Sequence, residues 1–180
     1  AQTASKYPVS FTNGVYSSIS STGLSQPDVL INDSCANITG LSPGFFVNGI
    51  TYSNAIMHNN GYVELYNGTY AMSIAYYEPS VLLYYSNPVF APFYMNLGIS
   101  SAATSSAYCQ TIGAEHIFEW KNFSRLNNGD DILNFQVRLN TTTGEVKFVY
   151  DTCMHGSGTV GPSVGWKSSG NSWSSDVNCL

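Results

Sequence analysis

The sequence predicts an all-β fold, a two-sheet antiparallel β-sandwich of jelly-roll type, and three observations carry that expectation. First, Leu133, Phe135, Val137 and Leu139 occupy every second position with Asn134, Gln136, Arg138 and Asn140 between them, the period of a half-buried strand. Val146, Phe148 and Tyr150 repeat the pattern after a Thr141-Thr142-Thr143-Gly144 turn, so residues 115–151 read as a meander with one core face and one wet face. Second, Asn48-Gly49 separates two apolar runs, and that dipeptide accepts the positive φ angles of a type I′ hairpin turn. Third, about twelve short strands follow one another at close spacing, with no amphipathic helix longer than a turn or two.

Taken in order, residues 7–12 and 15–20 are β-rich pieces divided by Asn13-Gly14, and Pro8 makes the first an edge strand or places it partly outside the sheet. Residues 45–47 and 50–52 form the hairpin around Asn48-Gly49, and residues 55–58 and 61–65 form a second around Asn59-Asn60. Residues 70–77 and 81–85 flank Glu78-Pro79-Ser80, and 89–94 follows the turn Asn87-Pro88. A Ser/Ala/Thr loop at 100–106 precedes strand 107–111, and 162–167 is the last good strand. In the first member of the meander Phe118 and Trp120 point one way and Glu119 and Lys121 the other, while Ile117 breaks the polarity. Glu119, Arg138 and Lys147 are expected on the wet face. The chain divides into an extended segment, 1–12, and a sandwich domain, 13–180.

Composition locates such a sheet. A chain of 180 residues folds as a single domain. Charged residues are 9% of it, well under the roughly 25% of an average soluble domain, so solubility rests on neutral polar groups. The net charge of −5 and six singly scattered Lys and Arg offer no basic stripe for phosphates, which argues against nucleic acid. No run of about 18 apolar residues occurs, so no membrane insertion is expected. The start at Ala1-Gln2 suits a mature, secreted product. Cys35, Cys109, Cys153 and Cys179 are far apart and lack metal-ligand spacing, so two disulfides are expected; Cys153 with Cys179 closes the shortest loop, and the pairing stays open.

The chain also resembles a β-sandwich module common in large secreted bacterial surface proteins. The residues that carry the resemblance are Tyr7-Pro8-Val9-Ser10-Phe11 with Gly14-Val15-Tyr16 and Ile19, then Gly44 to Tyr52, then His58-Asn59-Asn60-Gly61-Tyr62-Val63. Later landmarks are Ala91-Pro92-Phe93, Phe118-Glu119-Trp120-Lys121-Asn122, Leu133 to Leu139, Thr143-Gly144-Glu145-Val146 and Ser163-Val164-Gly165, in unbroken order. The resemblance implies extracellular display, adhesion or matrix assembly and carries no catalytic residues. Where the family has Trp and acidic residues after Ala-Pro-Phe, this chain has Tyr94-Met95-Asn96, so an acidic site there is not carried over.

Chemistry-bearing residues read as follows. Glu115 and Glu119 share a strand face about 13 Å apart at some 3.3 Å per residue, too far for a glycosidase pair, and a solvated face is the better reading. His58, His116 and His155 accompany no nucleophile or metal motif, so no catalytic and no metal residue is assigned and no cofactor is expected. Asn127-Asn128-Gly129-Asp130-Asp131 concentrates oxygen ligands but reads as a turn, lacking calcium-loop spacing. The adjacent pairs Tyr76-Tyr77 and Tyr84-Tyr85 must each send one ring out of their sheet's core, making them exposed-aromatic candidates for sugar stacking or a subunit interface. Sequons at Asn32, Asn37, Asn67, Asn122 and Asn140, together with Ser34 and Thr152 in Asp-Ser/Thr-Cys contexts, are glycosylation candidates.

The N-terminal strand, with Tyr7, Val9 and Phe11 alternating, has no hairpin partner of its own. It is a candidate donor strand for the next subunit, and repeated head to tail such a contact makes a homopolymer. The leading expectation is therefore a non-enzymatic structural subunit of an extracellular fibre or surface layer, acting through β-strand and tyrosine-rich interfaces, with itself and glycans as partners. A carbohydrate-binding adhesin domain comes second. A glycoside hydrolase comes last, for want of an acid/base pair.

Overall fold

The computed structural model describes residues 10–69, 86–101, 103–156, 161–167 and 173–174. In chain order the strands are β1 (Leu24–Ser25), β2 (Cys35–Ile38), β3 (Phe45–Val47), β4 (Ile50–Tyr52), β5 (Asn54–His58), β6 (Tyr62–Tyr66) and β7 (Val89–Tyr94). They continue with β8 (Leu97–Ile99), β9 (Ser106–Ile112), β10 (Glu115–Arg125), β11 (Asn128–Asn140), β12 (Val146–Met154), β13 (Ser163–Lys167) and β14 (Trp173–Ser174). Among the described residues one 3-10 turn covers Pro27–Leu30. The front sheet has the order β1-β9-β10-β11-β12, with β8 also on β10; the back sheet has the order β14-β13-β7-β6-β5-β2; β3 and β4 pair by themselves. Every pairing is antiparallel, so the protein is an all-β antiparallel sandwich.

Register follows from the alternation. Phe118↔Val137 and Trp120↔Phe135 place the large apolar side chains of β10 and β11 on one face. There they join Ala55, Met57, Val63, Leu65, Phe90 and Phe93 of the back sheet in one core. Phe135 stacks on Trp120 at 5.1 Å and on Phe93 at 5.2 Å between ring centroids, which locks the two layers face to face. The ring nitrogen of Trp120 donates to the His58 carbonyl at 2.9 Å, and the Tyr150 hydroxyl donates to the Pro92 carbonyl at 2.6 Å, so the strands on either side of Phe135 each carry a polar tie to the back sheet.

Both expected hairpins form. Asn48 and Gly49 take φ of 54° and 85°, as a type I′ turn requires. Between β5 and β6, Gly61 has φ of 76°, and a Cβ there would lie 2.1 Å from the Phe93 carbonyl oxygen, so β7 packs onto this turn only because glycine occupies it. The 115–151 meander is β10-β11-β12, 89–94 is a strand as read, and the strand expected at 162–167 runs over Ser163–Lys167.

Two expectations are corrected. Residues 10–19 form no strand: the Ile19 N–H goes to a side chain, Glu119, rather than to a ladder. The 127–131 segment is not a long turn, because the chain reverses at Leu126-Asn127, pairs Arg125 with Asn128, and runs on as β11. The strands expected at 70–77 and 81–85, and most of that at 7–12, lie outside the described residues.

Candidate functional site

Alternation turns Glu115, Ile117, Glu119 and Lys121 of β10 away from the core, beside Gln136 and Arg138 of β11. This face is not wet at its centre. Residues 16–20 cross it as a strap, and Glu119 is 0% exposed beneath them. Its Oε1 accepts from the Tyr16 hydroxyl and from Gln136 Nε2 at 2.9 Å; its Oε2 accepts from Ser18 Oγ at 3.2 Å and from the Ile19 backbone at 3.1 Å. Gln136 Nε2 and Arg138 Nη2 both donate to the Ser17 carbonyl, at 2.9 and 3.3 Å, and Lys121 Nζ donates to Ser20 Oγ at 3.0 Å. Burial, and then the hydrogen bond to Glu119, hold the Tyr16 hydroxyl protonated well above the ordinary tyrosine range. Ile117, the residue that breaks the strand's polarity, is 4% exposed on this same face. The solvated reading of Glu119 is thus overturned by a segment about a hundred residues away in sequence.

The outward face of the back sheet is buried as well. His58, Tyr62, Glu64, Tyr66, Cys35 and Lys167 lie on it. His58 stacks on Tyr62 at 4.0 Å, and its Nε2 stands 3.9 Å from Glu64 Oε2, whose other oxygen accepts from Asn87 Nδ2 at 2.8 Å. Val89 pairs with Glu64 on one side and with Lys167 on the other, so the acid and the amine share a row across three strands. Burial pushes His58 down to about 3, so the imidazole is neutral at physiological pH. Burial also lowers Lys167 from the ordinary lysine range, against the pull of Glu64.

The other candidates fall in separate places. Glu115 lies 3.6 Å from Lys147 and 3.9 Å from Arg138, the arginine that also reaches the strap, and it does not itself meet Glu119. His116 is buried between Thr111, at 2.7 Å, and the Pro43 carbonyl, at 2.6 Å, whereas His155 is exposed. The three histidines do not meet. Asp131 is closed off by Arg125 Nε at 2.6 Å, Arg125 Nη2 at 2.8 Å and the Gly156 N–H at 2.8 Å. The guanidinium bonds hold its carboxyl down at about 2. No group of three or more His, Cys, Asp or Glu among the described residues is placed to hold a metal ion.

Cys35, Cys109 and Cys153 are free thiols, and Cys179 lies outside the described residues. Cys35 packs with Ile56 and Tyr66 apart from the main core, Cys109 lies in the main core, and Cys153 is exposed on β12. Any two-bridge pattern would have to join two of these three. Cys109 and Cys153 sit three strands apart, about 14 Å at some 4.8 Å per strand, and a disulfide needs Cα atoms within about 7 Å. Cys35 is turned away from both by the thickness of its own sheet. The fold therefore does not accommodate the two expected disulfides together.

The sequons divide by what their amides do. Asn67 Nδ2 donates to the Thr51 carbonyl at 2.8 Å, and Asn122, at a β10 bulge with φ of 55°, donates to the Thr104 carbonyl at 2.9 Å. Both amides hold structure. Asn37 and Asn140 instead use their side-chain oxygens, accepting from the Tyr66 hydroxyl and from the Thr142 and Thr143 N–H groups, and Asn32 is exposed with its amide on Asp33. Ser34 is half-buried and Thr152 exposed. Of the assembly candidates Phe11 is 72% exposed, while Tyr7 and Val9, like Tyr76, Tyr77, Tyr84 and Tyr85, lie outside the described residues.

Sequence reading missed the strap, Gln136 as its second anchor, and the Glu64 and Lys167 row. Ile117 was the one available signal for the first. Comparison with known families gives a match over residues 6–178 to the model described as NIDO related. That span is nearly the whole chain, and the chain belongs to this family of extracellular-type domains. Comparison with curated proteins and with solved structures gave no match.

Proposed function

From this membership of the NIDO-related family we propose that the chain is a secreted structural subunit of a fibre or layer on a bacterial surface, assembling through its β-sheets rather than acting as a catalyst. The observation that supports it best is the strap. Glu119, Gln136 and Arg138 fix residues 16–19 to the front sheet, yet Phe11 and Val15 are 72% and 86% exposed, so the segment leading into the clamp is held at a rigid root with its apolar side chains outward. An anchored, uncharged, alternating segment is suited to pairing with a neighbour's sheet edge. The acids, by contrast, are occupied in the scaffold: Glu119 by the strap, Asp131 by Arg125, Glu115 by Arg138 and Lys147. Negative-stain imaging of the full chain and of a variant lacking residues 1–12 tests the reading. Fibres are expected from the first only; fibres from both would end the donor-strand idea.

A further inference from the structure

The outward face of the back sheet brings together an amine, a carboxylate and a carboxamide that the assembly reading does not use. Glu64 and Lys167 are 1% and 0% exposed, and both are paired with Val89, one from β6 and the other from β13. The adjacent pair, Trp166↔Phe90, stacks on the core side, so alternation puts Lys167, Val89 and Glu64 on the opposite face. The β6–β7 ladder runs on past Val89, since the Leu65 N–H donates to the Pro88 carbonyl at 2.9 Å. Asn87, two residues before Val89, therefore returns to the same face as a diagonal neighbour of both Glu64 and Lys167. Its Nδ2 donates to Glu64 Oε1 at 2.8 Å. Diagonal neighbours stand about 7–8 Å apart, a span that a long side chain such as lysine covers.

These three groups are the nucleophile, the acyl carbon and the proton carrier of an amide exchange. Burial lowers Lys167 from the ordinary lysine range, which favours the uncharged, nucleophilic amine against the pull of Glu64. The neutral Nζ adds to Asn87 Cγ. The Glu64 carboxylate takes a proton from Nζ and passes it to Nδ2, the nitrogen whose hydrogen bond it already accepts. The Cγ–Nδ2 bond breaks, the new Nζ–Cγ amide bond stays, and ammonia leaves. Glu64 ends as it began, and nothing is oxidised or reduced. Holding the groups on adjacent strands replaces a chance encounter in solution, which is what allows so slow an exchange to go forward. His58 and Tyr62, buried and stacked beside Glu64, keep the site dry, whereas Asn87 is half-buried and leaves the ammonia a way out.

We propose that Lys167 and Asn87 join in an intramolecular isopeptide bond, with Glu64 as the proton carrier, so that β13 is fastened covalently to the start of β7. The bond does not depend on whether the chain assembles, and it makes each subunit resist being pulled apart. Intact mass spectrometry of the reduced full chain, folded in a host that does not glycosylate it, tests the proposal. Wild type is expected to be lighter than its sequence mass by one ammonia, and peptide mapping to recover the segments holding Asn87 and Lys167 joined through Nζ. Lys167→Arg, Asn87→Ala and Glu64→Gln, each checked for folding by circular dichroism, are expected at their full sequence masses. Wild type at its full sequence mass overturns the proposal. An ammonia loss that persists in folded Lys167→Arg overturns it too, because that ammonia comes from an asparagine closing on its own backbone. A loss of water in place of ammonia also overturns it, joining Lys167 to Glu64 itself. Wild-type mass and peptide map decide the matter even where a variant fails to fold, and neither is altered by the presence or absence of fibres.

Discussion

Glu119 and Glu64 are both carboxylates on outward faces of a sheet, both buried, and they are held in opposite ways. Glu119 is surrounded by donors that do not titrate near neutral pH: a tyrosine and a serine hydroxyl, a backbone N–H and a glutamine amide. Glu64 stands beside groups whose charge depends on pH, His58 at 3.9 Å and Lys167 across Val89, with Asn87 supplying one neutral bond. The front face is a clamp that ties a distant segment down. The back face is a buried polar row whose balance shifts with protons. The same residue type at the same kind of position thus ties down a distant segment in one sheet and stands in a buried polar row in the other.

The largest effect should come from removing the clamp. Glu119→Ala abolishes bonds from four donors and takes away the acceptor of the Tyr16 hydroxyl and the Ile19 N–H, while Ser18 keeps Ser20 Oγ. Bonds to a charged group contribute about 1.5–3 kcal/mol each and do not add fully, so a loss of roughly 3–4 kcal/mol in urea unfolding is expected. Limited proteolysis should then cut within residues 10–20 before the core opens. A variant that unfolds at the wild-type midpoint would mean that the strap adds nothing.

Acid should act on the other face next. His58 is held near 3 in the fold against an ordinary 6.5, so below 6.5 the unfolded chain binds a proton that the folded chain refuses. Stability is full above 6.5 and declines as pH falls, by about 1.4 kcal/mol per unit, or about 2.7 kcal/mol by pH 4.5. His58→Phe keeps the ring against Tyr62 and should flatten this part of the profile. If both proteins lose stability in parallel between pH 6.5 and 4.5, the histidine is not the cause.

Asp131 sharpens the contrast, since it is a buried carboxylate with a full cationic partner. Its carboxyl lies at about 2 instead of 3.8, so its contribution is complete above 3.8 and is lost as pH falls through 2. That loss is about 2 kcal/mol in a window that begins at 3.8, overlaps the foot of the one set by His58 and extends below it. Thermal unfolding scans of wild type and Asp131→Asn should therefore converge toward pH 2 and separate above pH 4.

The sheets were readable because alternation reports which side of a strand a residue occupies. Leu133 to Leu139 and the Asn48-Gly49 turn state their geometry locally, and the structure follows them. Alternation is silent about what covers the polar side. Glu119 and Gln136 look like wet-face residues in their own strands, and only Ser17, Ser18 and Ile19, about a hundred positions away, make them interior. The same limit hid Lys167, a polar strand end by sequence that lies fully buried opposite Val89. At 127–131 the error was of another kind: Asn-Gly-Asp-Asp has turn chemistry, but Arg125 captures Asp131 and the chain straightens immediately after Asn127.

The smallest effect isolates one contact of the clamp. Tyr16→Phe removes a single hydroxyl while keeping the ring, and the Glu119 oxygen it leaves is still met by Gln136 Nε2, with Ser18 and Ile19 on its companion. Because the carboxylate stays satisfied, the loss is one charge-assisted bond less the cost of burying a hydroxyl, about 1 kcal/mol by urea unfolding. The phenol is also held protonated by the fold, so wild type loses this bond only when alkali deprotonates Tyr16. Across pH 5 to 8 the difference between Tyr16→Phe and wild type should be constant, while both proteins show the acid decline set by His58. A difference that grew with acid would show that the clamp shares the proton sensitivity of the back face, and the distinction between the two carboxylates would fall.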